Sequence, residues 1–346
     1  MPGSRGRGAG GPRGHSPRSS REPPPWHRVP HFTRREWSAR SATYLVGDDG
    51  LLTDARHVGH AEEHQRQVRA RLVGRDATDV PLWPAGQDRA VEDRRPVEHR
   101  PVDAGRVIGL ELLAARTWRG TEEERFGDWL LRAAGGFTGR ANSVLVTGRP
   151  PVPLPEAVTT VARWYADRGL RPRAQVPVPG AEEADAALAA AGWERSEDVL
   201  VLTAPLAGWP PPRVPVALAD EPDDAWLTGY RYRGTPLPPI ARQVLMAAER
   251  PVFASVRLRP APAPLAAVAR GVVADRRLFV TAVTVDEGAR RRGLATAVMA
   301  ALGAWGRNSG AGACVLQVAA DNAPALALYG RLGFTEHHRY HYRLAG

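Results

Sequence analysis

Apolar residues fall at helical spacing from Arg106 onward. In "RVIGLELLAART", Val107, Leu110, Leu113 and Ala114 form one stripe, as expected of a helix with one buried face. "GDWLLRAAGG" and "RANSVLVTG" read as two strands joined by a turn around Gly135, Gly136 and Gly139. "LPEAVTTVARWYADRGL" predicts a helix opened by Pro155 and stopped at Gly169. A strand "RAQVPVP", a helix "EEADAALAAAG" and a strand "DVLVLTAPL" follow. The proline-rich "LAGWPPPRVP" then reads as a linker, after which the pattern restarts. A strand in "VPVALAD" and two helices in "PDDAWLTGYR" and "PPIARQVLMAAE" precede three strands, "PVFASVRL", "LAAVARGVVAD" and "RLFVTAVTV". A glycine-containing loop, a helix to about Trp305, the strand "ACVLQVAA", a short helix over 323–332 and the strand "TEHHRYHYRL" complete the chain. The fold class is α+β. The expected organisation is an N-terminal segment 1–105, an α/β unit 106–206, a linker 207–213 and a second unit 214–346.

Composition changes this picture mainly at the N-terminus. Residues 1–30 are filled with Gly, Pro, Ser and Arg and cannot build a core, so disorder is expected. Residues 31–105 have only scattered apolar positions, a texture that a misplaced start codon or frameshift in GC-rich DNA would also give. The net charge is +10, but residues 1–47 hold nine arginines against Glu22 and Glu36, so the tail carries most of it. The ordered part is nearly neutral, which argues against a nucleic-acid face there. The single cysteine, Cys314, lies in an apolar run and reads as a core thiol. One cysteine rules out an intramolecular disulfide, and the histidines show no paired ligand spacing, so no metal is expected. There is no apolar run long enough to span a membrane and no secretory signal, which predicts a cytoplasmic protein.

The candidate chemistry centres on "VDEGARRRGLATAVM". Three arginines stand against Gly293, after a strand and before a helix whose apolar stripe is Leu294, Val298, Ala301, Leu302 and Trp305. A strand, a glycine loop and a helix N-terminus form an anion site, because free backbone N–H groups and the helix dipole converge there. Neither the P-loop pattern nor the dinucleotide G-x-G-x-x-G is present.

The loop resembles the pyrophosphate loop of the GNAT superfamily of N-acetyltransferases, [Q/R]-x-x-G-x-[G/A], through Arg290, Gly293 and Ala295. "LQVAADNAPALALYGRLGF" resembles that superfamily's next block, with Asn322, Ala327, Tyr329, Gly333 and Phe334 in order. The resemblance covers about 214–346. It implies a mixed, mostly antiparallel sheet flanked by helices, an acetyl-CoA donor and an amine acceptor, either a small molecule or a protein N-terminus or side chain. It assigns donor binding to Val283, Thr284, Val285, Arg290, Arg291, Arg292, Gly293, Leu294, Ala295, Thr296 and Asn322, and catalysis to Tyr329. A phenol near 10 would protonate a thiolate near 8.5 uphill by about 1.5 units, so Tyr329 is expected to stabilise the sulfur mainly by hydrogen bonding. The base is open among Glu221, Asp223, Asp224, His337, His338 and His341, because Gln317 is an amide. Alternation along the last strand puts His337, Arg339 and His341 on one face, and His338, Tyr340 and Tyr342 on the other. The first unit repeats the element order with prolines in place of the loop and resembles a degenerate GNAT-like half. Its turn-rich "GGFTGRANS" is expected to contribute to a substrate site. Two alternatives are a CoA-binding protein without catalysis and nucleic-acid association through the tail.

Overall fold

The computed structural model describes residues 44–46, 52–54, 102–232 and 234–346. The expectations for the N-terminal segment otherwise lie outside the described residues. Within it, β1 (Tyr44–Val46) and β2 (Leu52–Asp54) form a hairpin at one sheet edge, two strands the sequence pattern did not disclose.

The next elements are α1 (Ala104–Thr117), β3 (Glu122–Phe126), β4 (Trp129–Ala133), β5 (Val144–Leu145), α2 (Leu154–Ala166), β6 (Arg173–Val178), α3 (Glu182–Ala190), β7 (Glu194–Arg195) and β8 (Val199–Pro205). They are followed by β9 (Ala217–Ala219), α4 (Asp224–Gly229), α5 (Ala241–Met246), β10 (Val252–Val256), β11 (Ala267–Ala274), β12 (Arg277–Val285), α6 (Leu294–Asn308), β13 (Ala313–Ala319), α7 (Ala323–Arg331) and β14 (Thr335–Leu344). Strand β3 was missed because its sequence, EEERF, is charged; it is an exposed edge strand needing only one partner. "RANSVLVTG" yields only the two-residue β5, because Asn142 and Ser143 are used inside a loop.

All strands join one sheet in the order β2-β1-β9-β10-β11-β12-β13-β8-β14-β6-β5-β4-β3, with β7 beside β14. Two junctions are parallel, β12/β13 and β5/β6; the others are antiparallel. The order interleaves the two sequence halves. Strand β8 from the first half pairs with β13 and β14 of the second, while β14 pairs on its other edge with β6.

Alternation along the central strands explains how helices cover both faces. Cys314, Leu316 and Val318 join the core under α6, whereas Val315 faces Leu110, Leu113 and Ala114 of α1 on the opposite side. Helix α6 lies close to the sheet at Gly271, where a Cβ would stand 3.0 Å from Leu302 and 3.1 Å from Val252. Helices α4 and α5 cover the α1 side of β10 and β11 through Trp226, Tyr230, Val244, Leu245, Phe253 and Val268. A third core holds α2 and α3 against β4–β6, around Trp129, Val161, Tyr165 and Leu188.

The proline-rich stretch read as a linker is packed rather than free. Leu206 and Trp209 are buried in the α6 core, and Leu206 N donates to Gly312 O. The indole of Trp209 comes close to α6 because Gly303 has no side chain there: an added Cβ would be 2.6 Å from one ring carbon and 3.1 Å from another. Gly303→Ala would gain about 1 kcal/mol of helix propensity but overpack this contact at about 1–3 kcal/mol. Urea unfolding should therefore show a net loss of stability, and a variant as stable as the parent would mean the indole is not held against the helix.

Candidate active site

The parallel pairing of β12 with β13 runs only from Arg277↔Ala313 to Val280↔Leu316. Beyond it β13 continues on β8 while β12 continues on β11, so the strands part and one edge of 281–285 has no strand partner among the described residues. At the same place β12 bulges: Ala282 and Val283 together oppose Ala269, and Ala282 has φ +57°. A left-handed alanine costs about 1–2 kcal/mol, and its effect is to re-aim the backbone groups of a strand that is already open.

From Val285 the chain makes a 3-10 turn, Glu287–Ala289, capped by Asp286, whose carboxylate accepts from Gly288 N at 3.1 Å. Arg291 and Gly293 follow with φ of +63° and +73°. Gly293 opens α6 with no side-chain cap, so the N–H groups of Leu294, Ala295 and Thr296 lack a capping side chain. A Cβ on Gly293 would meet nothing within 4 Å. Arg290 pairs with Glu287 at 3.2 Å; Arg291 and Arg292 are exposed and have no carboxylate partner among the described residues. The whole loop is thus an array of donors and positive charge facing open space.

The second wall is α7. Asn322 caps it, its side-chain oxygen accepting from Ala325 N at 3.3 Å. Tyr329 lies seven residues further along and is buried, its ring edge-on to Phe334 with centroids 5.5 Å apart. Burial pushes its phenol up to about 12, with the neighbouring Cys314 thiol adding to the shift. Cys314 is fully buried and its thiol is raised well above its ordinary value by the same cause. It is a core thiol, not a nucleophile.

Of the candidate bases, all but Asp224 have side-chain partners. Asp223 caps α4 by accepting from Trp226 N at 2.7 Å, Glu221 pairs with Arg242 at 2.9 Å, and Asp224 is exposed in the first turn of α4. His338 is fully buried against Glu111 at 2.9 Å, and His341 against Asp185 at 2.7 Å. His337 is half-buried with its Nδ1 2.8 Å from that of His338. A bulge between Glu336 and His338 brings the His337 ring beside that of His338 instead of sending it to the opposite face; beyond it the expected alternation holds, with His338 and Tyr340 toward α1 and His341 toward α3. Gln317, at the open end of β13, accepts from Arg140 Nη1 at 2.8 Å and from the Tyr340 hydroxyl at 3.4 Å.

Arg140 comes from the loop singled out in the first half, and Asn142 shapes that loop. Its side-chain oxygen accepts from Ala134 N and Gly136 N, while its amide donates to Phe137 O and Thr138 O. The Arg140 guanidinium lies 4.9 Å from the Trp118 ring centre, and Trp118 Nε1 donates to Thr138 at 2.9 Å. Arg270, on β11 opposite Thr281, sits 5.2 Å from the same ring. Trp118 and Arg270 escaped the sequence reading. The available signal was a lone arginine in the apolar strand "VARGVV", where a buried charge needs a reason.

An open parallel splay, a bulged strand beside it and an uncapped, glycine-led helix thus meet at one place in the sheet. The chain belongs to the family described as "Probable histone acetyltransferase Rv0428c C-terminal", whose match spans residues 105–343. It is 26% identical over 254 residues to an uncharacterized N-acetyltransferase, YobR, of Bacillus subtilis (strain 168), covering 68% of this chain and 97% of that protein. It is 36% identical over 141 residues to the probable histone acetyltransferase Rv0428c of Mycobacterium tuberculosis (strain ATCC 25618 / H37Rv), covering 38% of this chain and 41% of that relative. A GCN5-related N-acetyltransferase from Kribbella flavida superposes with a TM-score of 0.50 at 18% identity, over 69% of this chain and 96% of that one, and so shares the fold. The chain is a GNAT acetyltransferase. No group of three or more candidate ligands for a metal ion occurs among the described residues, and none of their helices is long and apolar enough to cross a membrane.

The burial of Tyr329 can be measured directly. A difference titration of phenolate absorbance, parent minus Tyr329→Phe, should show one tyrosine ionising near 12. A missing transition with midpoint near 10 would place the phenol in water.

Proposed function

We propose that the chain transfers an acetyl group from acetyl-CoA to a primary amine by direct attack. The observation that carries this reading is the meeting of the β12/β13 splay and its bulge with the uncapped α6 N-terminus. The residues fit the donor. Gly293 leaves space that any side chain would fill, the 294–296 amides are free for phosphate oxygens, and Arg290, Arg291 and Arg292 supply positive charge. Val283, Thr284 and Val285 would hold the donor's arm along the opened edge. Asn322, whose oxygen is committed to Ala325, would donate from its amide nitrogen.

Acetyl-CoA supplies an acyl group activated as a thioester. In the overall change a C–N bond forms, the C–S bond breaks, and one proton passes from the amine to the sulfur. Backbone N–H groups at the bulge would donate to the acyl oxygen as charge collects there. The Tyr329 hydroxyl would donate to the departing sulfur. With the phenol at about 12 and a thiol near 8.5, full proton transfer is uphill by about 3.5 units, roughly 5 kcal/mol. Tyr329 therefore stabilises the sulfur by a charge-assisted hydrogen bond. The acceptor is a small amine or a protein amine; the name of the mycobacterial relative raises the second, and the chemistry at the splay is the same for both.

Acetyl-CoA should raise the Tm of the parent chain, by the equivalent of about 2.7 kcal/mol at a hundredfold excess over Kd. Gly293→Val should remove that shift, since its side chain would enter the phosphate position. Equal binding by both proteins would defeat the loop assignment.

Tyr329→Phe should lower kcat by about 10–10³-fold with little change in the KM for acetyl-CoA. The parent's activity should not fall as pH rises through 10, because the raised phenol stays protonated there; a descending limb near 10 that the Phe variant lacks would contradict this environment. Full kcat in Tyr329→Phe would mean that another group donates to the departing sulfur.

A further inference from the structure

We propose that the acceptor amine carries a carboxylate, bound by Arg140 and Arg270 beside Trp118 and Thr281. This rests on the acyl-transfer reading above for its chemistry, and on separate observations for its geometry. Arg270 is fully buried. Its Nε donates to Leu245 O at 2.8 Å and its Nη1 to Thr117 O at 3.0 Å, which are carbonyls at the C-terminal ends of α5 and α1. These bonds fix the guanidinium plane. Nη1 also lies 3.5 Å from the Thr281 hydroxyl, one residue before the β12 bulge, while Nη2 has no partner among the described residues. A buried guanidinium nitrogen without an acceptor is rare and awaits one.

No carboxylate among the described residues is paired with either arginine. The charged and titratable groups that bear on Arg270 are Arg140, which opposes its charge, and Tyr230. Burial first, and then Arg140, pull the Arg270 guanidinium down to about 9, so the two cations repel. Folded chains do not ordinarily leave such a pair unmatched, and an anion between them would relieve both. Trp118 supports this arrangement, since both guanidiniums rest on its ring. Arg140 is half-buried and its one side-chain hydrogen bond among the described residues is to the neutral Gln317, so its charge is open to an incoming anion.

The position matters for catalysis. Thr281 and Gln317 flank the splay on the face opposite α6, so an acceptor anchored here would present its amine toward the bulge. A field of two positive charges disfavours an ammonium ion beside it. The anchor would thus favour the uncharged, nucleophilic amine. A lysine-rich protein tail would bring charge of the wrong sign.

The test uses the full chain, acetyl-CoA and matched acceptors: glycine, β-alanine and aliphatic and aromatic α-amino acids, each beside its carboxamide, with a lysine-rich peptide as comparison. At least one acid should exceed its amide by tenfold or more in kcat/KM. Arg140→Gln should collapse that ratio toward one, chiefly by raising the KM of the acid, and Arg140→Lys should restore part of it. A binding arm is independent of turnover: the preferred acid, and not its amide, should raise the Tm of the parent, and not of Arg140→Gln. If acids bind with this Arg140 dependence but no acyl group moves, the acyl-transfer reading fails and the carboxylate site stands. Should amides or the lysine-rich peptide be acylated as well as the acids, should the acid preference survive in Arg140→Gln, or should no acid stabilise the parent, the carboxylate site is wrong.

Discussion

Strand β8 is the piece on which the arrangement depends. Where β12 and β13 part, β13 needs an antiparallel partner on its far edge, because a strand with one open ladder is unsatisfied in a buried sheet. That partner is Val199–Pro205, which comes from the other half of the sequence, while the last strand of the second half reaches past it to β6. The opening at the site is therefore held from both sides. Strand β12 is fixed by β11, and β13 by a strand that cannot leave without also releasing β14. Ala282 in its left-handed conformation can persist there because its neighbours on β11 and β12 are locked in register.

A buried polar chain reinforces the same joint. Arg132 donates to Ser143 and, at 2.8 Å, to Gln175; Gln175 donates to Glu111 at 2.7 Å; and Glu111 meets His338 at 2.9 Å. Burial lowers the Arg132 guanidinium from its usual value, yet its hydrogen bonds leave it a place in the core. The amide of Gln175 lies between the positive and the negative group with its oxygen toward one and its nitrogen toward the other, so the three groups polarise one another. Members of this chain sit on β4, β6, α1 and β14, which makes the register of the interleaved strands specific as well as favourable. The same α1 carries Trp118 just past its end, so a rigid joint also places the indole beside the site.

Much of this was readable from the chain. Period-two runs such as "ACVLQVAA" and the stripe of α6 fixed element type and buried faces, since one-sided burial requires those periods. The loop at Gly293 was legible because a left-handed turn before an uncapped helix admits so few residues. Pairing between strands distant in sequence was not legible. Nothing local in "DVLVLTAPL" says that both its neighbours lie more than a hundred residues away. Trp209 was hidden by its prolines, which signal a turn-rich path but not what lies beneath it. Of the β14 histidines only His337 departs from the expected alternation, because one bulge brings its ring beside that of His338, and bulges leave little trace in composition.

A parallel junction followed by a helix occurs twice in the sheet, and the two helices begin differently. After β5, which pairs in parallel with β6, the chain runs into α2 just as β12 runs into α6. Topology offers both helices the same dipole and the same set of unpaired first-turn amides. At α2, however, Pro153 is the capping residue and Pro155 occupies the first turn, so an N–H that would meet an anion has been removed where α6 has Gly293 and Ala295. No arginine cluster stands in front of α2 either; "VTGRPPVPLPEA" holds one. The first site gives up backbone donors for a stiff, well-started helix, and the second gives up stiffness for donors. A glycine rather than a proline at the start of the helix is what leaves α6 the first-turn donors that the proposed phosphate contacts need.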